Sequence, residues 1–307
     1  MRLVLILLSS LIYLTPFAQE STFFQKKTTA QLELIVLTSG KITTLERHNT
    51  KTILALYNGG QLVDELELNI ITKEEEVPVF LSLGAERFFL QLGDYAFNFW
   101  VSQNKIVQEK KVAIPDGPLG ATEKILFIDD NISVEHYLNS REQYNVYIKL
   151  DGKLLKKNEK FNTSHLGGLA SFQKTPKTTP RLIYSPFNKE LFFHQPTDIS
   201  YVRVELSEPD ITIGLMYLEY NQSYTLRRYF DQLTGNRYVL KENKQKRTLL
   251  KVSSFNGSPF DNEYQTTPNK WDVNKTPYAI VGGKLLIKET KKVKDLNEYR
   301  FYLKELL

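Results

Sequence analysis

The chain of 307 residues contains no cysteine. That absence excludes disulfide staples, thiolate zinc sites, iron–sulfur clusters, redox dithiols, thiol nucleophiles and the acylated cysteine of a lipoprotein. The fold must therefore be held by apolar cores, which asks for domains large enough to bury them. Histidine is nearly as scarce: His48, His136, His165 and His194 stand far apart, with no His-x-x-x-His pair and no zincin spacing. No Gly-x-Ser-x-Gly elbow occurs, and neither Gly59-Gly60 nor Gly167-Gly168 is followed by the Lys-Ser/Thr of a phosphate loop. Asp129-Asp130-Asn131 lacks the alternating carboxylates and distal Glu of a calcium cage. No catalytic residue, metal site or cofactor is expected from these patterns. After residue 14 no run reaches membrane-spanning length, so no transmembrane segment is expected once a leader is removed.

The apolar run that does exist lies at the start. Met1-Arg2 gives a positive end, Leu3–Leu14 an apolar stretch broken by Ser9 and Ser10, and Thr15-Pro16-Phe17-Ala18 a cleavage region. This is the three-part layout of a secretory signal, with cleavage expected after Ala18. The Phe17-Ala18-Gln19-Glu20 junction resembles the end of many bacterial export signals. An exported chain without disulfides fits a bacterial envelope, in the periplasm or at the cell surface, better than an animal secretion.

Charge is uneven. Residues 19–120 hold 10 Lys/Arg against 13 Asp/Glu, residues 121–220 hold 12 against 13, and residues 221–307 hold 17 against 9. The basic excess lies in the last third, where it suits an anionic glycan or an acidic envelope protein as partner. No nucleic-acid motif accompanies it. Eighteen Phe and 17 Tyr against two Met match the composition of pleated, half-buried strands.

Period-2 alternation recurs along the chain. Thr52–Tyr57 runs into Asn58-Gly59-Gly60, and Gln61–Ile70 runs out again. An Asn-Gly turn between β-rich runs predicts a hairpin, because both central residues need positive φ. Val77–Leu83, Tyr95–Val101 and Ile106–Ile114 read as further strands, with Trp100 expected to pack between its sheet and a neighbour. Pro115–Gly120 is a breaker cluster. Beyond it, Lys124–Ile128 and the hairpin Gln143–Leu155 repeat Gln31–Ile35 and Ile53–Val63 at a shift of 93 residues. A shift of that length predicts tandem immunoglobulin-like or fibronectin-like sandwiches. The expected organisation is a signal at 1–18, a loose N-terminus at 19–30, one β-sandwich at 31–116, a second at 121–220, and a basic β segment with a long loop at 221–307. Residues 291–307 fit a helical stripe and a strand equally.

Aromatics are the remaining candidates for a site. Trp271 and Tyr264 fall in the long loop, Tyr278 follows it, and Asn262 and Asp272 add an amide and a carboxylate. Flat rings flanked by such groups suit a sugar face. The expected function is an exported, non-catalytic binding or scaffolding protein of the cell envelope. The alternatives are carbohydrate binding through residues 260–280 and a glycan-active hydrolase with an unrecognised carboxylate pair.

Overall fold

A computed structural model describes residues 21–70, 76–139, 143–162, 181–194, 200–215, 225–242, 247–252, 255, 264–265 and 275–304. Among them every regular element is a strand, and no helix is long and apolar enough to cross a membrane. β1 (Ser21–Thr28) is followed by β2 (Gln31–Val36), β3 (Ile42–Arg47), β4 (Thr52–Asn58) and β5 (Gln61–Leu68). Then come β6 (Val79–Gly84), β7 (Arg87–Leu92), β8 (Tyr95–Ser102) and β9 (Lys105–Ala113). β10 (Ala121–Asp129), β11 (Ile132–Asn139), β12 (Gln143–Leu150) and β13 (Lys153–Asn162) follow. After them lie β14 (Leu182–Ser185), β15 (Glu190–His194), β16 (Ser200–Glu205) and β17 (Asp210–Leu215). The last are β18 (Thr225–Phe230), β19 (Arg237–Glu242), β20 (Arg247–Val252), β21 (Tyr264–Gln265), β22 (Lys275–Val281), β23 (Lys284–Val293) and β24 (Leu296–Lys304).

These strands form six four-stranded antiparallel sheets, five of them in plain chain order from β2 to β21. The sixth has the order β1-β24-β23-β22, so the N-terminal strand completes the C-terminal sheet. The apolar clusters follow the same circuit. Leu45, Leu54 and Leu56 of the first sheet pack on Phe88, Phe97 and Phe99 of the second. One continuous core joins the second, third and fourth sheets. Smaller clusters join the fourth to the fifth and the fifth to the sixth. Phe24, Tyr299 and Phe301 of the sixth then pack on Leu32, Leu34 and Tyr57 of the first. Sheets of four strands, each packed on the next and the last on the first, make a six-bladed β-propeller.

That architecture replaces the expected immunoglobulin-like sandwiches. A sandwich needs two sheets facing each other with crossovers between them. Here, among the described residues, no sheet takes a strand out of chain order except the one that closes the ring. The 93-residue shift spans two blades: it carries the bounds of β2, β4 and β5 onto β10, β12 and β13. The boundary at Pro115–Gly120 joins the second blade to the third. Residues 291–307 resolve, as far as Lys304, into the end of β23 and all of β24, with Tyr299 and Phe301 buried between β1 and β23. Trp100 does not pack between sheets; it keeps 44% of its surface exposed.

Local chemistry sets the hairpins. Gly59 and Gly60 (φ +56° and +81°) turn β4 into β5. Gln103 and Asn104 (+49° and +62°) turn β8 into β9, and Asp151-Gly152 (+47° and +76°) turn β12 into β13. All three place two residues in the left-handed region, as the favoured two-residue hairpin requires. After each turn the sequence repeats as a polar residue followed by two aliphatics: Gln61-Leu62-Val63, Lys105-Ile106-Val107, Lys153-Leu154-Leu155. Cores then form from the inward positions. Each fully buried Phe, such as Phe88 stacked on Phe99 with centroids 4.9 Å apart, contributes about 1.5–3 kcal/mol over the exposed state.

Blade 3 is set differently from the others. The Gln91 amide of β7 donates to Lys124 O (2.8 Å) and accepts from Leu126 N (2.9 Å). This clamps the inner strand β10 onto blade 2, and β6 packs directly against β14.

Candidate functional site

The inner strands all run the same way along the ring axis, so the two ends of the propeller differ. Where the inner strands finish, neighbouring turns are tied together. The Glu86 carboxylate accepts from Ser39 N (3.1 Å) and pairs with Lys41 (3.2 Å). Asp129 receives Tyr184 Oη (2.7 Å) and Lys189 Nζ (2.8 Å), with Arg87 at 3.4 Å; Arg87 also reaches Asp130. The acidic turn considered for calcium is thus engaged by side-chain cations from blades 2 and 4. Asn188 Nδ2 donates to Gly235 O (2.8 Å). Asp231 accepts from Leu233 N, Gly282 N and Gly283 N at 2.9, 2.9 and 2.6 Å. Gln232 Oε1 accepts from Val36 N (2.9 Å), which joins blade 5 to blade 1. We call this the turn end.

Between this end and the opposite, entry end lies a central cavity of about 480 Å³, whose lining runs from Gln31, Arg181 and Thr276 at the entry end to Pro186 and Gln232 at the turn end. Its wall is built from β2, β6, β14, β18 and β22, with Arg47, Lys288 and Thr290 reaching in from second strands. No residue of β10 lines it, because the Gln91 clamp holds that strand on blade 2. Leu34, Phe80, Leu81, Ile183, Tyr229 and Phe230 give an apolar lining. Polar groups gather toward the entry end: Gln31, Glu33, Arg47, Glu76, Arg181, Thr276, Lys288 and Thr290.

These polar groups are fixed by contacts between blades. Tyr278 Oη accepts from Leu34 N (2.7 Å) and lies 2.9 Å from both Glu33 Oε2 and Leu34 O. Burial and the adjacent Glu33 carboxylate push its phenol well above the usual tyrosine range. Lys288 Nζ donates to Leu32 O (2.5 Å) and Glu33 Oε1 (3.2 Å), and sits 5.5 Å and 5.3 Å from the ring centroids of Tyr278 and Tyr299. Arg47 donates to Glu76 O (2.5 Å) and to the Gln31 amide oxygen. Arg181 pairs with Glu123, at 2.7 Å through Nε and 2.6 Å through Nη2. The set offers preorganised donors over an apolar wall, which suits recognition of a polar or extended ligand.

Among the described residues, Tyr278 of the site singled out in the sequence lines this cavity. Tyr264 lies on β21, the outermost strand of blade 5, whereas Tyr278 lies on β22, the innermost of blade 6. The backbone therefore sets the two on different sheets and at opposite edges. Trp271, Asn262 and Asp272 lie outside the described residues. His136 is buried, its ring stacked on Phe193 with centroids 4.4 Å apart. Among the described residues no group of three His, Asp or Glu could hold a metal ion. Glu33, Lys288 and Arg47 were missed because polar residues in an alternating strand read as the solvent face. Glu33, isolated between Leu32 and Leu34, was the available signal.

No family model and no curated protein matches this sequence. Solved structures similar to it include the β-propeller domain of Cps50 (Swd1) from Myceliophteria thermophila, at 10% identity over 87% of this chain and 81% of that one, with a TM-score of 0.45. A luciferin-regenerating enzyme is similar at 11% identity over 91% and 94%, with a TM-score of 0.45. Hsv2 from Kluyvelomyces marxianus is similar at 8% identity over 90% and 83%, with a TM-score of 0.41. Such distant likenesses carry no argument about activity. The propeller assignment rests on strand order and the circuit of cores.

Proposed function

We propose that this protein is an exported, non-catalytic binding scaffold of the bacterial cell envelope, and that a partner docks at the entry end of the channel. The observation that carries this reading is the asymmetry of the two ends. At one, turns are tied to neighbouring turns by hydrogen bonds; toward the other, fixed polar groups of the central cavity gather beside its apolar wall. The signal-like N-terminus and the cysteine-free composition support placement outside the cytoplasm. A segment of an envelope protein would set apolar side chains against Leu81 and Phe80 and meet donors from Lys288 and Tyr278.

The test places a photoreactive residue at Thr290, at the entry end, and separately at Ser39, at the turn end. A discrete adduct from Thr290 and none from Ser39 is expected, and the partner so identified should lose affinity for Thr290→Arg. Equal adducts from both positions, or affinity unchanged by Thr290→Arg, would contradict the reading.

The carbohydrate alternative keeps one observation in its favour: Tyr278 lines the channel beside Glu33 and Gln31. Glycan binding that survives high salt and disappears in Trp271→Ala would move the assignment to that alternative.

A further inference from the structure

We propose that the cleft between blades 2 and 3 binds an oligosaccharide, with Trp100 as its stacking platform. This site is distinct from the central cavity and does not use Trp271. On either side of it the outermost strands of neighbouring blades are tied together. Asp64 of β5 accepts from Ile106 N of β9 (2.7 Å), and Lys156 of β13 pairs with Asp210 of β17. Between β9 and blade 3 lies instead a cleft of about 320 Å³, a volume in the range of small-molecule sites.

Alternation decides which groups of blade 2 face this cleft. Phe97, Phe99 and Val101 pack toward blade 1, so Ala96, Asn98 and Trp100 face blade 3. Asn98 is 2% exposed, and among the described residues its Oδ1 has no hydrogen-bond partner. A buried amide acceptor is normally matched by a donor, so this one marks a place where a donor arrives. Its direct partner on β9 is Lys110, which lines the cleft. Trp100 lies two residues further toward the turn end and keeps 44% of its surface exposed. It is paired with Arg87, whose guanidinium meets Asp130 (2.7 Å), the residue before Asn131 of the cleft lining. Indole, amide and lining therefore share one surface.

The lining has the chemistry a sugar needs. Val112, Leu126 and Ile128 give an apolar floor, and Asn131, Ser133 and Glu135 add an amide, a hydroxyl and a carboxylate. These groups are fixed in place. Glu135 is buried, accepts from Tyr137 Oη (3.1 Å) and pairs with Lys149. Asp151 N donates to Asn131 O (2.9 Å), which joins the two turns of blade 3 that border the cleft. A pyranose presents an apolar C–H face and a rim of hydroxyls. An aromatic plane beside fixed amide, hydroxyl and carboxylate groups complements both. Lys110 and Lys149 balance Glu135 and Asp151, so no field of one sign selects an ion. The cleft lies between sheet faces and offers side chains, not a free strand edge for a peptide to extend.

The test uses the chain from Gln19 onward, which keeps every described strand, in a Trp271→Phe background so that Trp100 is the sole tryptophan. The probes are short gluco-, galacto-, manno- and N-acetylglucosamine oligosaccharides. At least one is expected to change Trp100 emission saturably, and to the same extent at low and high salt. Calorimetry then follows the variants. Trp100→Ala, at an exposed position, should keep the thermal transition and weaken binding about tenfold. Asn98→Leu removes the orphan acceptor, so the thermal midpoint should hold or rise while affinity falls about tenfold. Thr290→Arg, in the central cavity, should leave sugar binding unchanged. No saturable binding to any probe, or binding indifferent to Trp100→Ala, would overturn the proposal. A lower thermal midpoint in Asn98→Leu with affinity kept would assign that amide to the fold and overturn it too. Binding that requires Trp271, or that is lost in Thr290→Arg, would place sugar recognition elsewhere and equally contradict it.

Discussion

His136 gives the propeller a pH dependence that can be calculated. Its ring is buried at the junction of blades 3 and 4, stacked on Phe193 with planes 11° apart. Burial, reinforced by the cationic Arg181, lowers its pKa from 6.5 to about 3. In the unfolded chain the imidazole takes up a proton as pH falls through 6.5, while the folded protein resists until about 3. Between those values the unfolded state binds more protons, so stability is full above pH 6.5 and is lost as pH falls. The loss approaches about 1.4 kcal/mol per pH unit, which amounts to about 2 kcal/mol at pH 5 relative to neutrality. Urea unfolding of the wild type and of His136→Phe at pH 7.5, 6 and 5 isolates this contribution. The stability difference between the two proteins should shift by about 2 kcal/mol in favour of the variant between pH 7.5 and pH 5. Parallel pH profiles would show that this imidazole titrates alike in both states, and would refute the buried, neutral assignment.

Two substitutions test the lacing of the turn end. Asp231→Ala strips the acceptor from three backbone N–H groups in blades 5 and 6, so the urea midpoint should fall by an amount equivalent to about 3 kcal/mol, with a smaller loss in Asp231→Asn. Gly235→Ala forces a side chain onto φ +70° and within 2.7 Å of Phe187 Cβ, and should cost about 1–3 kcal/mol. Gly59→Ala, in open space at φ +56°, should cost about 1 kcal/mol, and thermal melts of the two variants would reveal the difference.

Secondary structure was legible because turn chemistry and alternation are local. Gly59-Gly60, Asp151-Gly152 and the alternation of Tyr95–Val101 each specify a strand or turn within a few residues. The ring was not legible for three reasons. Blade lengths differ, so the similarity surfaced at two blades (93 residues) rather than one. The turn of blade 2 uses Gln103-Asn104, without glycine, and hides the intermediate copy. Closure depends on β1 pairing with β24, a contact across almost the whole chain that no local pattern encodes. Sandwich and propeller strands also alternate with the same period, so what separates them is which faces pack, as with Phe89 and Phe127 between blades 2 and 3. The channel was reached in the sequence only through Tyr278, chosen for its neighbours in the chain. Its actual companions, Glu33 and Lys288, lie more than two hundred residues away from Glu33 to Tyr278 and on another strand of the same blade, respectively.

Ring closure by the N-terminal strand is the claim on which the two ends and the central cavity both depend. It can be tested with a single engineered disulfide, Gln25→Cys with Arg300→Cys, at directly paired positions of β1 and β24. Paired residues on antiparallel strands have Cα atoms about 4.5–5.5 Å apart, within reach of a disulfide. The chain has no cysteine of its own, so this bond has no competitor. Mild oxidation should join the two within one chain almost completely, and the unfolding midpoint should rise in the oxidised form alone. Thiols that stay free, or that cross-link only between molecules, would contradict a closed six-bladed ring.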